Sequence, residues 1–195
     1  THAGEEELAC RIHQALAADI PELLTIIVPR HPVRALEIID ACQHIGPTLQ
    51  QRGPTKIPPA SNTAVYIADT LGELGLFYRF APVACIGRSF SADGGGGHNP
   101  IEAAQLGCAV LYGPHVQNLQ AIYDELGAAN AALQLHDEQD FRDILKVLLT
   151  DPLQREKLTR AGAQFIKRQS DTLHRIMNQI IPLAENALAH KGTAS

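Results

Sequence analysis

The sequence predicts an α/β protein, a doubly wound parallel sheet with a helical C-terminal extension. Three observations predict it. Short apolar runs of β type alternate with helical stretches as far as Leu135, the pattern of a parallel sheet covered on both faces. A glycine-rich segment, Gly94–Gly97, stands between one such run and a helix start. Beyond Leu135 the strands cease and three helical segments follow one another.

Residues 5–18 open with an acidic turn and carry a stripe of Leu8, Ile12, Ala15 and Leu16, which predicts a helix. Leu23–Val28 is a compact apolar run and reads as a buried strand. Pro29-Arg30-His31-Pro32 ends it, and Val33–Ile45 follows as a helix. Gly53–Asn62 is rich in Pro and Gly and reads as a mobile loop. Ala64–Ala68 is the next strand, and Asp69-Thr70 leads into a helix from about Gly72 to Phe80. Residues 83–86 form a strand, 99–106 a helix stopped by Gly107, and Ala109–Tyr112 another strand. A turn at Gly113-Pro114-His115 precedes the helix Asn118–Leu126 and the last strand, Ala131–Leu135. Asp137–Leu149, Pro152–Gln169 and Thr172–Ala189 are the terminal helices, punctuated by Asp151-Pro152 and Ser170-Asp171. The last carries a stripe of Leu173, Ile176, Met177, Ile180 and Ile181 that needs a partner.

A chain of 195 residues is long enough to bury a real core as one substantial α/β domain. Its formal charge of −5 leaves no basic face broad enough for nucleic acid. No apolar run approaches the ~20 residues that span a bilayer, and no signal segment opens the chain. It starts on Thr1 without an initiator Met, so it is expected to be a piece of a longer protein. Cys10, Cys42, Cys85 and Cys108 are scattered without a CxxC pair, against zinc or redox chemistry. Cys85 and Cys108 read as small core hydrophobes, and a reducing cytosolic setting follows most simply. His31, His98 and His115 fall in post-strand loops, whereas His13 and the remaining histidines fall on helices or ends and read as solvated. No metal-ligand spacing and no G-x-S-x-G elbow occur, so neither a metal site nor a hydrolase triad is predicted.

Gly94-Gly95-Gly96-Gly97-His98-Asn99-Pro100-Ile101-Glu102 is the most informative stretch. Its glycines remove every Cβ from a turn, so that backbone N–H groups can close on an anion. A turn with only a structural role rarely needs four glycines, since ordering them costs backbone entropy. Asn99 is placed to cap a helix with Pro100 at its first position and Glu102 in its first turn. Such a helix start faces phosphate, and an ionised Glu accepts both hydroxyls of a ribose. The segment matches neither the P-loop nor the GxGxxG spacing. Three post-strand loops, Pro29–Pro32, Asp69–Glu73 and Ser89–Glu102, are expected to converge where ligands bind an open parallel sheet. Arg30 offers a planar fork to phosphate, although a surface arginine in a turn explains that tetrapeptide equally well. Asp69–Glu73 is fully accounted for as a helix cap, the alternative being that Leu71 and Gly72 approach a base. These features together indicate a nucleotide.

The segments Pro29-Arg30-His31-Pro32, Asp69-Thr70-Leu71-Gly72-Glu73, Gly97-His98-Asn99-Pro100-Ile101-Glu102 and Gly113-Pro114-His115 through Asn118 occur in that order. Together with the opening Thr1-His2-Ala3-Gly4-Glu5-Glu6 they closely resemble the C-terminal half of the 3-deoxy-D-manno-octulosonic acid (Kdo) transferases of lipopolysaccharide synthesis. The resemblance covers nearly the whole chain. It implies a GT-B glycosyltransferase, with a Rossmann-like CMP-sugar-binding domain at 1–150 and helices at 151–195 that pack on it and on an N-terminal domain. It implies the donor CMP-Kdo and no cofactor, with CMP contacts at Pro29, Arg30, Leu71, Gly72, Glu73, Asn99, Pro100, Ile101 and Glu102. His98 and the preceding glycines would lie near phosphate or sugar. The acceptor it implies is a lipid A precursor, held by the N-terminal domain at the cytoplasmic side of the inner membrane of a Gram-negative bacterium. Membrane contact would not involve this domain, which is expected to be soluble. The general base of the family lies in the N-terminal domain, so no catalytic residue is assigned here, and the fragment alone is expected to be inactive in this inverting transfer. The chain departs from the family at Gly87-Arg88-Ser89, in its longer glycine run, and in Ala103 where the family has Pro. The alternatives are another GT-B nucleotide-sugar enzyme (a UDP-sugar transferase or a non-hydrolysing epimerase) or an isolated binding or packing domain without activity.

Overall fold

A computed structural model of the chain describes residues 1–91 and 94–192, and at 172–176 and 183–192 it describes the helical backbone alone. Its strands are all parallel and form two three-stranded sheets. In the first, β1 (Thr25–Ile27) and β2 (Leu49–Gln51) flank β3 (Val65–Ile67), so that Thr25 and Leu49 both stand opposite Val65. The second runs β4 (Val83–Ile86), β5 (Ala109–Tyr112), β6 (Ala132–Gln134), with Val83 opposite Ala109. The helices are α1 (Glu5–Leu16), α2 (Ala35–Gln43), α3 (Leu74–Phe80), α4 (Ile101–Gln105), α5 (Gln120–Ala128), α6 (Glu138–Thr150) and α7 (Pro152–Gly192). Single 3₁₀ turns at Pro32–Arg34 and Gln117–Leu119 lead into α2 and α5.

Strand periodicity explains why both faces of each sheet are covered, since alternate side chains point to opposite faces. Ile27, Val65 and Ile67 pack with Ala35, Ile38 and Cys42 of α2, while Tyr66 and Ala68 pack with Phe77 of α3. In the second sheet Ile86, Val110 and Tyr112 meet Ala103, Ala104, Tyr123 and Phe165. Ala109 and Leu111 meet Phe141, Leu148 and Leu158 on the opposite face.

Helix α1 joins the two sheets. Its Leu8, Ile12 and Leu16 belong to the core of the second sheet, and its Ala9 and Cys10 to that of the first. Each fully buried Leu or Ile of this kind contributes about 1.5–3 kcal/mol. The start of α1 is also tied to the second sheet by hydrogen bonds. The buried Glu5 carboxylate accepts the N–H groups of Arg88 (2.6 Å) and Phe90 (3.0 Å), and that of His2 (2.9 Å).

The predicted α/β class is borne out, with four corrections of detail. The sheet is two three-stranded units, and the first includes a strand, Leu49–Gln51, that the sequence analysis did not foresee. Leu-Gln-Gln lacks an apolar run because it is an edge strand, half-buried throughout. The predicted break at Ser170-Asp171 is absent, and α7 runs through it without interruption. Ser and Asp favour caps, but with no Gly or Pro beside them their cost inside a helix is well under 1 kcal/mol each. Cys85 is exposed on β4 and is not one of the core residues. His13 is 4 % exposed and bonded to Thr25 Oγ1 at 3.0 Å, and burial pushes its imidazole below the usual range.

Helix α7 packs on β5, α4 and α6 through Leu158 and Phe165. Farther along, Met177, Ile180 and Ile181 are exposed, while the side chains of Leu173 and Ile176 lie outside the described residues. Among the described residues no helix is long and apolar enough to cross a membrane.

Candidate nucleotide site

The first loop leaves β1 at Pro29, which is buried, and turns out at Arg30, which is exposed. Arg30 is oriented to solvent at the carboxyl end of β1. His98 is fixed by its backbone. Its N–H donates to Gly87 O at 3.1 Å and its carbonyl accepts Tyr123 OH at 2.5 Å. Burial first, then the Thr1 charge, push its imidazole below the usual range. Its Nε2 is buried and has no hydrogen-bond partner among the described residues.

The glycine run proves to be shaped by the protein's own side chains. A Cβ on Gly95 would overlap the Arg88 guanidinium, and one on Gly96 the Asn118 amide. Gly96 also takes φ +67°, a conformation open to glycine at little steric cost. Asn118 Nδ2 then donates to Gly97 O at 2.9 Å, pinning the turn. At Gly95 and Gly96 the protein's own side chains thus add a packing reason for glycine beside the expected anion-binding one. The next helix begins at Ile101 with Pro100 as its cap residue, one position later than expected, and Asn99 Oδ1 still accepts Ile101 N–H at 2.9 Å while Pro100 O accepts Ala104 N–H at 3.2 Å. Pro100 is buried, Ile101 half-buried, and Asn99 and Glu102 are exposed.

In the second loop Leu71 and Gly72 are exposed, and Gly72 turns the chain with φ +78°. The Glu73 carboxylate is engaged within the protein. Arg52 grips it with two bonds of 3.0 and 3.1 Å, Lys56 approaches to 3.1 Å, and the Thr70 hydroxyl donates to it. Arg52 above all, then Thr70 and Lys56, hold its pKa down at about 2. A Cβ placed on Gly75 would lie 3.3 Å from Glu102 Oε1, so the start of α3 and that of α4 meet. The second and third segments are thereby brought together by Glu102.

Sequence reasoning missed Arg52 and Lys56. Arg52 immediately precedes, and Lys56 lies within, the stretch Gly53–Asn62 read as a mobile loop, which is tied down instead: Gly53 N–H donates to Asp69 Oδ1 at 2.8 Å and Gln50 Nε2 to Pro58 O at 2.8 Å. The legible signal was two basic residues within and just before a Pro- and Gly-rich stretch, but no spacing linked them to Glu73.

No protein-family model matches the chain. It is 31% identical over 186 residues to the 3-deoxy-D-manno-octulosonic acid transferase of Haemophilus influenzae, covering 95% of this chain and 43% of that protein. It is 35% identical over 153 residues to the probable mitochondrial 3-deoxy-D-manno-octulosonic acid transferase of Arabidopsis thaliana, covering 77% and 34%. Among solved structures it is similar to the C-terminal CMP-Kdo binding domain of WaaA from Acinetobacter baumannii, with TM-score 0.79, 33% identity and 85% of each chain covered. The chain spans less than half the length of these curated relatives.

Proposed function

Because the chain belongs to the 3-deoxy-D-manno-octulosonic acid transferase family, we propose that it is the donor-binding half of such an enzyme, holding CMP-Kdo for transfer to a lipid A precursor. Residues 1–150 bind the nucleotide-sugar, and residues 151–195 pack on them and reach toward an N-terminal domain that holds the acceptor. Pro29 and Arg30 take the phosphate, whose oxygens match the planar guanidinium. Leu71, Gly72 and Glu73 meet the cytosine through their backbone. Asn99, Pro100, Ile101 and Glu102 take the ribose, with Glu102 accepting from both hydroxyls.

One observation carries this reading. Glu102 packs against Gly75, two residues past Glu73, so the start of α3 and the start of α4 stand side by side. This supports a site shared by the second and third segments, to which we add Arg30 of the first.

In the inverting reaction a base on the other domain takes the proton from an acceptor hydroxyl, whose oxygen bonds to the anomeric carbon of Kdo as the bond to the phosphate breaks. CMP leaves with added negative charge on phosphate, and Arg30 stabilises it there. This chain supplies the leaving-group side alone and does not turn over by itself. The whole enzyme acts at the cytoplasmic face of the inner membrane.

Calorimetric titration with CMP, UDP and UDP-N-acetylglucosamine tests the assignment. CMP is expected to bind in preference to both. Tighter binding of either uridine nucleotide would overturn it, and Kdo transfer by this chain alone would overturn the division of labour.

A further inference from the structure

Resting on that donor assignment, we infer that Arg52 is a positioning residue for base recognition, holding the Thr70–Glu73 turn through the Glu73 carboxylate. The carboxylate has no capacity left for a ligand. Its Oε2 receives Arg52 Nε at 3.0 Å and the Thr70 hydroxyl, and its Oε1 receives an Arg52 terminal nitrogen at 3.1 Å and Lys56 Nζ at 3.1 Å. An ionised carboxylate offers about four lone-pair sites, and these partners occupy them. A cytosine amino group could bond there only by displacing one of the four. Glu73 therefore serves the base through its backbone, and its side chain serves the turn.

Arg52 is itself fixed on its other sides. Its remaining terminal nitrogen donates to Tyr66 OH at 3.0 Å, and its guanidinium lies 5.6 Å from the centroid of the Phe77 ring. Tyr66 belongs to β3, and Glu73 and Phe77 to the start and body of α3, so Arg52 locks strand and helix on either side of the intervening turn. The turn lacks a core anchor of its own. Leu71 at its tip is 78% exposed, and Gly72 sits at positive φ, a ready hinge once the clamp is gone. Asp69 adds a second tie by accepting Gln51 Nε2 at 2.6 Å and Gly53 N–H at 2.8 Å, so the segment after β2 braces the segment after β3.

The test compares wild type, Arg52→Ala, Arg52→Lys and the double variant Arg52→Ala/Glu73→Gln, titrated with CMP, UMP and ribose 5-phosphate by calorimetry or NMR. Arg52→Ala is expected to weaken CMP about tenfold and erode the preference over UMP, while ribose 5-phosphate changes by less than about twofold. Arg52→Lys keeps the charge without the fork and falls between. The double variant matches the single one, since Glu73 acts through Arg52. The inference is overturned by a folded Arg52→Ala that holds CMP as wild type does, by equal losses for CMP and ribose 5-phosphate, or by a further large loss in the double variant. If Arg52→Ala does not fold, Thr70→Val is read by the same criteria. Failure of the wild-type chain to bind CMP would overturn the donor assignment and this inference together, whereas the other results overturn the inference alone.

Discussion

At the residue scale, two carboxylates with similar sequence surroundings take opposite roles. Glu102 and Glu73 each follow a loop into a helix, yet one is exposed and the other saturated by Arg52, Thr70 and Lys56. On the proposed ribose contact, Glu102→Ala should weaken CMP binding about tenfold while leaving thermal unfolding unchanged, because the bond lost would be one to ligand and not an internal one. Glu73 behaves differently. Its pKa falls from an ordinary 4.5 to about 2 in the folded chain, so its contribution to stability is complete above pH 4.5 and disappears as pH falls toward 2. Urea unfolding at a series of pH values should show the gap between wild type and Glu73→Gln closing across that interval. A gap that stays constant would mean that the ion pair adds nothing to stability.

At the scale of elements, the turn between β4 and α4 is governed by close packing. Gly96 combines φ +67° with contact against Asn118, so Gly96→Ala meets both backbone strain and a clash and should cost at least about 1–3 kcal/mol. Gly94 also has positive φ but nothing within 4 Å of a Cβ, so the same change there should cost less. Comparing the two by thermal denaturation separates strain from packing. The long helix α7 makes a complementary point: Ser170-Asp171 has the composition of a cap but no steric reason to stop, and the helix continues.

For the whole molecule, α1 is the tie between two sheets. Glu5 supplies an acceptor to the backbone of Arg88 and Phe90, and Glu5→Ala would leave these N–H groups without it, at about 1–3 kcal/mol. Ile12→Ala, at a position 2 % exposed, should cost about 2–5 kcal/mol through the cavity it leaves. If α1 couples the sheets, probes in β3 and β5 will report one unfolding transition in the wild-type chain and separate transitions in Glu5→Ala. Coincident transitions in both would assign the coupling to other contacts.

The sequence by itself determined the α/β class and most element positions. Those features are written locally, in apolar runs of strand length, in helical spacing, and in the steric demands of Pro and Gly. Tertiary structure decided what depends on partners far along the chain. Arg52 reaches Glu73 across a separation of 21 residues, and Glu5 reaches Arg88 across 83. No periodicity connects such pairs. The strand Leu49–Gln51 was hidden for the same reason, since an edge strand needs little apolar surface and is stabilised by hydrogen bonds to β3. The glycine run shows the limit most plainly: its composition announced a missing Cβ, but only folding showed that Arg88 and Asn118 fill the space.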